Sequence, residues 1–149
     1  MPNRVAIIDM GTNTFHLLVA EWKANQYHFI HQEKHAVKIG VGGINEGMIT
    51  EAAINRALET LKKFADTIKQ LKAEKVRVFG TSALRSASNG TEVIERIKKE
   101  TGLDAQIISG ELEAEYIYLG VRSAVALGNE KSLIIDIGGG SVEFIIGND

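Results

Sequence analysis

Ile7-Ile8-Asp9-Met10-Gly11-Thr12-Asn13-Thr14-Phe15-His16 and, much further along, Ile134-Ile135-Asp136-Ile137-Gly138-Gly139-Gly140-Ser141-Val142-Glu143 align without a gap. Asp falls on Asp, Gly on Gly, and Thr14 on Ser141. In each copy a run of buried-strand residues delivers a carboxylate to its end. Glycine and small polar residues follow, so that backbone N–H groups can approach an anion closely. Taken singly, either copy would read as an ordinary Asp-x-Gly turn after a strand. As a pair they predict two phosphate-binding hairpins facing each other across a cleft, holding a reacting group by position and charge.

Outward from the first copy, Val5–Asp9 and Phe15–Trp22 are compact apolar runs joined by Met10–Thr14, a hairpin signature. Tyr27–Ile39 alternates loosely, with Tyr27, Phe29, Val37 and Ile39 as the expected inward residues, until Gly40-Val41-Gly42-Gly43 breaks it. Three antiparallel strands are expected. From Thr50, an N-cap, the residues Ile54, Ala57, Leu58, Leu61, Phe64, Ala65, Ile68 and Leu71 recur at helical spacing and predict one long amphipathic helix. Val76–Phe79 reads as a short buried strand. Asn89-Gly90-Thr91-Glu92 opens a helix with capping-box-like spacing, and Thr101-Gly102 closes it. Ala105–Ile108 is the next strand, and Ser109 caps a third helix running through Tyr116 and Leu119 to about Leu127, where Gly128 stops it. Leu133–Asp136 and Val142–Ile146 form the second glycine hairpin. Pro2 is expected outside every element. A hairpin followed by alternating strands and helices implies an α/β fold with a mixed sheet covered by helices. The boundary between units is expected at the Leu127–Lys131 turn.

The 149 residues, 44% of them hydrophobic, suffice for one ordinary core. The formal net charge of -2 provides no global basic field, so neither nucleic acid nor an anionic membrane is an expected partner, and any anion must be gripped locally. Zero cysteines exclude disulfides and thiolate metal sites. The apolar runs are too short to span a bilayer, and the N-terminus lacks the features of a signal peptide, so a cytoplasmic protein is expected.

Four segments now carry a resemblance: Asp9–His16, Gly80-Thr81-Ser82-Ala83-Leu84-Arg85, Ser109-Gly110-Glu111-Leu112-Glu113-Ala114 and Asp136–Glu143. Together, and in this order, they resemble the exopolyphosphatase and guanosine pentaphosphate phosphatase (Ppx/GppA) family, part of the superfamily of sugar kinases, heat-shock chaperones and actin. The resemblance implies an actin-like, ribonuclease H-like domain with a five-stranded mixed sheet over residues 1–127. Residues 128–149 would then be the first hairpin of a second domain whose remainder is missing. That orphaned hairpin is expected to pair with another copy of the chain, giving a homodimer.

The resemblance also implies an activity, hydrolysis of a terminal phosphoanhydride in inorganic polyphosphate or guanosine pentaphosphate, assisted by Mg²⁺ or Mn²⁺. Glu113 matches the family's general base, and Arg85 offers a planar fork suited to phosphate oxygens. Gly11, Thr12, Asn13 and Thr14 would form one phosphate cradle, and Gly138, Gly139, Gly140 and Ser141 the other. Asp136 is the expected metal carboxylate, with Asp9 and Glu143 contributing directly or through water. His16 is assigned no chemistry, and His28, His31 and His35, without cysteine companions, do not suggest zinc. One departure stands out: Glu115 occupies a position where many relatives carry arginine, so the substrate is expected to be shorter, to bind elsewhere, or to be reached by a neighbouring lysine. Two other readings stay open, an ATP-dependent kinase of the same superfamily and a non-catalytic phosphate-binding module.

Overall fold

The computed structural model describes residues 3–43 and 46–149; the expectation for Pro2 lies outside them. Strands β1 (Arg4–Met10), β2 (Phe15–Lys23), β3 (Gln26–His35), β4 (Lys75–Gly80) and β5 (Ala105–Ile107) form one sheet in the order β3-β2-β1-β4-β5. The β1–β2 and β2–β3 pairs are antiparallel, while β1–β4 and β4–β5 are parallel, which makes the sheet mixed. Helices α1 (Glu51–Gln70), α2 (Ser82–Ser86), α3 (Gly90–Thr101) and α4 (Gly110–Ala124) complete this unit, and β6 (Ser132–Ile137) pairs antiparallel with β7 (Val142–Gly147) in a separate two-stranded sheet.

Helix α1 forms where its spacing predicts. The hydroxyl of Thr50 accepts from the amide of Ala53 at 3.3 Å, and Ala53, Ala57, Leu61, Phe64 and Ile68 bury one stripe. That stripe, with Val93 and Ile97 of α3, packs on the sheet face carrying Ala6, Ile8, Met10, Leu17, Val19 and Val78. The other face is covered differently. Helix α4 buries none of its residues fully, and its Tyr116 ring lies 5.5 Å from Phe79 on that face. Ile7, in the middle of the sheet, keeps 39% of its surface exposed.

Four expectations need correction. The third strand stops at His35, because its partner β2 begins at Phe15 directly opposite and nothing remains to pair with. Val37 and Ile39 are buried as expected, but in the loop that follows. Tyr27 and Phe29 point away from the core, since a bulge between Val19 and Ala20 shifts the register and places them opposite Trp22 and Ala20 on the other face. Asn89 stands at the start of α3 without capping it: its amide receives from the Ile49 N–H and donates to the Ile49 carbonyl, both at 2.9 Å. Helix α4 ends at Ala124, before Leu127. The Gly80–Arg85 segment also enters the short helix α2.

Gly90 shows which local effect wins. A helix position ordinarily gains about 1 kcal/mol from glycine to alanine, yet a methyl group here would overlap the backbone carbonyl oxygen of Leu84, which cannot move aside cheaply. Gly90→Ala is therefore expected to destabilise the fold by about 2 kcal/mol; a denaturation midpoint at or above that of the parent would contradict this packing.

Candidate active site

The ends of β1, β4 and β5 and the turn between β6 and β7 meet in one place. Across the first hairpin Met10 pairs with Phe15, and across the second Ile137 pairs with Val142. Inside each turn the same hydrogen bond recurs at the aligned position, Gly11 N–H to the Thr14 carbonyl and Gly138 N–H to the Ser141 carbonyl, both at 3.0 Å. The sequence duplication is thus a duplication of backbone geometry.

The first loop turns its carbonyls away. The Thr12 carbonyl accepts from Gly40 N–H at 3.4 Å and the Asn13 carbonyl from Lys38 N–H at 2.8 Å. In a planar trans peptide the N–H points opposite to the C=O, so the amides of Asn13 and Thr14 face away from the Lys38–Gly40 segment. Among the described residues, those of Thr12, Asn13, Thr14, Gly139, Gly140 and Ser141 donate to no protein acceptor. Lys38 holds a left-handed backbone, φ 51°, that costs a non-glycine residue about 1 kcal/mol. Arg56 of α1 secures it, its Nε and Nη2 donating to the carbonyls of Val37 and Lys38 at 3.0 Å each. Neither Lys38 nor Arg56 is suggested by any motif; the left-handed residue emerges only in three dimensions.

Beside the loops, a cavity of about 760 Å³ is lined by Asp9, Thr81, Glu113, Tyr116 and Asp136, among others. Glu113 enters it because Ser109 caps α4, accepting from Leu112 N–H at 3.2 Å, and so fixes where the first turn begins. Arg85 reaches Glu113 from α2: its Nη1 donates to Glu113 Oε2 and to the Ile108 carbonyl, each at 2.9 Å. Only Nη1 of this guanidinium is engaged among the described residues. Glu143 stands opposite Asp136 across the second hairpin and does not line the cavity; the third carboxylate there is Glu113. Among the described residues no three His, Asp or Glu side chains come close enough to cage an ion alone. His16 bonds Thr14 Oγ1 through Nε2 at 3.1 Å, whereas His31 and His35 both bond Glu33, and none of these three lines the cavity.

The electrostatics single out Asp9. Burial pushes its carboxyl up from the ordinary 3.8 to about 6, and the charges of Glu113 and Asp136 add to the effect. Asp9 thus feels both other acids of the cavity, and Arg85 is in direct contact with Glu113.

Comparison with known proteins agrees with this picture. The model of the Ppx/GppA phosphatase family matches residues 18–149. The chain belongs to the Ppx/GppA phosphatase family. A guanosine-5'-triphosphate,3'-diphosphate pyrophosphatase of Photobacterium profundum is 36% identical over 142 residues, 95% of this chain and 28% of that protein. Among solved structures, an exopolyphosphatase from Cytophaga hutchinsonii ATCC 33406 superimposes with a TM-score of 0.95 at 52% identity, over 97% of this chain and 46% of its own. The Aquifex aeolicus Ppx/GppA family member gives 0.86 at 32%, over 97% and 47%. The chain therefore spans less than half the length of these family relatives. The ethanolamine utilization protein EutJ from Carboxydothermus hydrogenoformans, at a TM-score of 0.53 and 16% identity, shares the fold alone. The architecture is the actin-like α/β fold of the family. No helix among the described residues is long and apolar enough to cross a membrane.

Two measurements follow from the site itself. Thr12 is 8% exposed and its Oγ1 has no hydrogen-bond partner among the described residues. Thr12→Val removes an unsatisfied buried hydroxyl at constant shape and is expected to raise stability by about 1 kcal/mol in urea melts. For Asp9 the raised pKa means that the folded state holds the proton more tightly than the unfolded state. Its favourable contribution is complete below pH 3.8 and is lost as pH rises through about 6. Water still reaches part of the Asp9 surface, and after that screening Asp9→Asn should gain about 1 kcal/mol over the parent at pH 7.5 in chelator. The gain should vanish near pH 3.5; an equal gain at both pH values would contradict the charge clustering.

Proposed function

We propose that this chain supplies the catalytic lobe of a phosphohydrolase that removes the terminal phosphate from inorganic polyphosphate or guanosine pentaphosphate by attack of water. The convergence of Asp9, Glu113 and Asp136 on one cavity beside two loops of unpaired amides carries this reading. In it, residues 1–127 form the first lobe and 128–149 open the second. The relatives named as an exopolyphosphatase and a guanosine-5'-triphosphate,3'-diphosphate pyrophosphatase support the substrate class.

The amides of Thr12, Asn13 and Thr14, with those of Gly139, Gly140 and Ser141, hold the terminal phosphoryl oxygens from two sides. Glu113 takes a proton from the attacking water as the oxygen–phosphorus bond forms and the bridging anhydride bond breaks, releasing orthophosphate and a shortened substrate. Arg85 keeps Glu113 in place through Nη1 and offers the rest of its fork to the phosphate. Three carboxylates cannot accept a polyanion unless further positive charge enters, so the donor set fits a divalent ion. Asp136 and Asp9 would hold Mg²⁺, or Mn²⁺, with Glu143 acting through water, since magnesium takes few protein oxygens and retains several waters. When bound, the ion neutralises charge on the phosphoanhydride oxygens. Such substrates place the work in the cytoplasm.

A second copy of the chain is the partner this reading gives the second hairpin. One face of it, Leu133, Ile135, Ile137, Val142, Phe144 and Ile146, is wholly apolar and exposed, with Leu133 opposite Ile146 and Ile135 opposite Phe144. Light scattering showing a monomer at every concentration would remove the dimer from the account.

The deciding assay is phosphate release from polyphosphate, guanosine pentaphosphate and ATP by the full-length protein, with and without Mg²⁺. Metal-dependent release from the first or second is expected, and Glu113→Gln should lower kcat by about a hundredfold or more. Near-normal turnover by that variant would sink the assignment of the base. ATP consumption only in the presence of an acceptor would point to a kinase instead.

A further inference from the structure

Ser82 opens α2, just beyond the end of β4, and is 8% exposed. Its Oγ donates to the Gly140 carbonyl at 2.9 Å, across 58 residues of sequence. Gly140 aligns with Asn13 in the duplication, and the Asn13 carbonyl is the one held by Lys38 N–H at 2.8 Å. The same peptide of both loops is therefore pinned through its oxygen, by a main-chain amide in the first loop and by a serine hydroxyl in the second. Pinning the oxygen fixes the opposite end of the peptide: Thr14 N–H in the first loop, Ser141 N–H in the second. The loops also touch. A methyl group at Gly140 would overlap Thr12 Oγ1 and come within 3.0 Å of Ser82 Oγ, and one at Gly139 would overlap Asn13 Nδ2. Ser82 is itself anchored to the first loop's strand, because its neighbour Thr81 donates its N–H to the Met10 carbonyl at 3.3 Å.

We propose that Ser82 is a positioning residue: its hydroxyl orients the Gly140–Ser141 peptide, so that the Ser141 amide is aimed at the phosphoryl group without Ser82 touching the substrate. The inference rests on the hydrolase reading above and deepens it, because it explains how a loop of three glycines, free to adopt many backbone conformations, presents one donor geometry. The physical need is plain. Glycine allows the close approach that the Thr12 contact requires, yet leaves the peptide free to turn, and an external hydrogen bond restores its orientation. The first loop, with no such run of glycines, has its Thr12 and Asn13 carbonyls held by main-chain amides.

The test uses orthophosphate with Mg²⁺ as the probe and the amide resonances of Thr14 and Ser141 as readout in the isotopically labelled chain. Both signals are expected to move on titration in the parent. In Ser82→Ala the Thr14 response should persist while that of Ser141 is lost, which a general loosening of the fold would not produce. Should Ser82→Ala fail to fold, Gly140→Ala crowds Ser82 Oγ, together with Thr12 Oγ1, from the other side and is expected to silence Ser141. In the full-length enzyme Ser82→Ala should lower kcat about tenfold with KM within about twofold, in keeping with loss of one oriented donor. Ser82→Ala added to Gly140→Ala should cost nothing more. An unchanged Ser141 response, wild-type kcat, a change in KM alone, or additive losses would each overturn the role of Ser82. Silence of both amides in the parent would instead overturn the phosphate cradle on which it rests.

Discussion

A loop can offer its amides to an anion only if its carbonyls are occupied elsewhere, and that constraint organises this structure. The carbonyls of Thr12 and Asn13 are drawn toward Gly40 and Lys38, and the Gly140 carbonyl toward Ser82. Behind the first set stands a chain of support that runs back to α1: Arg56 holds the carbonyls of Val37 and Lys38, and the strain of the left-handed Lys38 is balanced by those bonds. The long amphipathic helix thus does more than close the core. It sets the backbone of a loop that lies at the other end of the sheet's first hairpin.

Charge supplies the second constraint. Asp9, Glu113 and Asp136 arrive from β1, α4 and β6, the first far in sequence from the other two, and burial, reinforced by the two neighbouring charges, lifts the Asp9 carboxyl to about 6. Such an arrangement is costly in isolation and is relieved by cations. Arg85 answers part of the need through its 2.9 Å contact with Glu113; a polyanion entering the same cavity requires more, which is the electrostatic ground for the proposed divalent ion. The buried, unpartnered hydroxyl of Thr12 belongs to the same account, since a polar group kept without a protein partner costs stability and is compensated when a ligand satisfies it.

Apolar exposure is uneven for a related reason. The sheet face that receives α1 and α3 is closed, whereas the opposite face retains Ile7, and the second hairpin leaves an entire side of isoleucine, leucine, valine and phenylalanine open. The hairpin's other side meets α4 near Gly147 and Tyr118, and the Asp149 carboxylate ties back to the amides of Leu127 and Gly128 at 3.1 and 2.8 Å. The second loop is consequently held in register with the first by local contacts, although its own sheet has two strands only.

The amino-acid order by itself determined most of the elements and the hairpin pairings. Helical spacing marked α1, apolar runs marked the strands, and the gap-free repeat around Asp9 and Asp136 announced two equivalent loops, all of them properties carried by neighbouring residues. It went astray where distant parts decide: Tyr27 and Phe29 changed faces because of a bulge opposite β2, and Asn89 gave up its cap to bind the Ile49 backbone. Tertiary structure alone decided that Arg85 grips Glu113, that Asp9 carries the raised pKa, and that Ser82 faces Gly140. Each of those outcomes depends on the relative placement of strand ends, which is fixed by packing and carries no local signature in the chain.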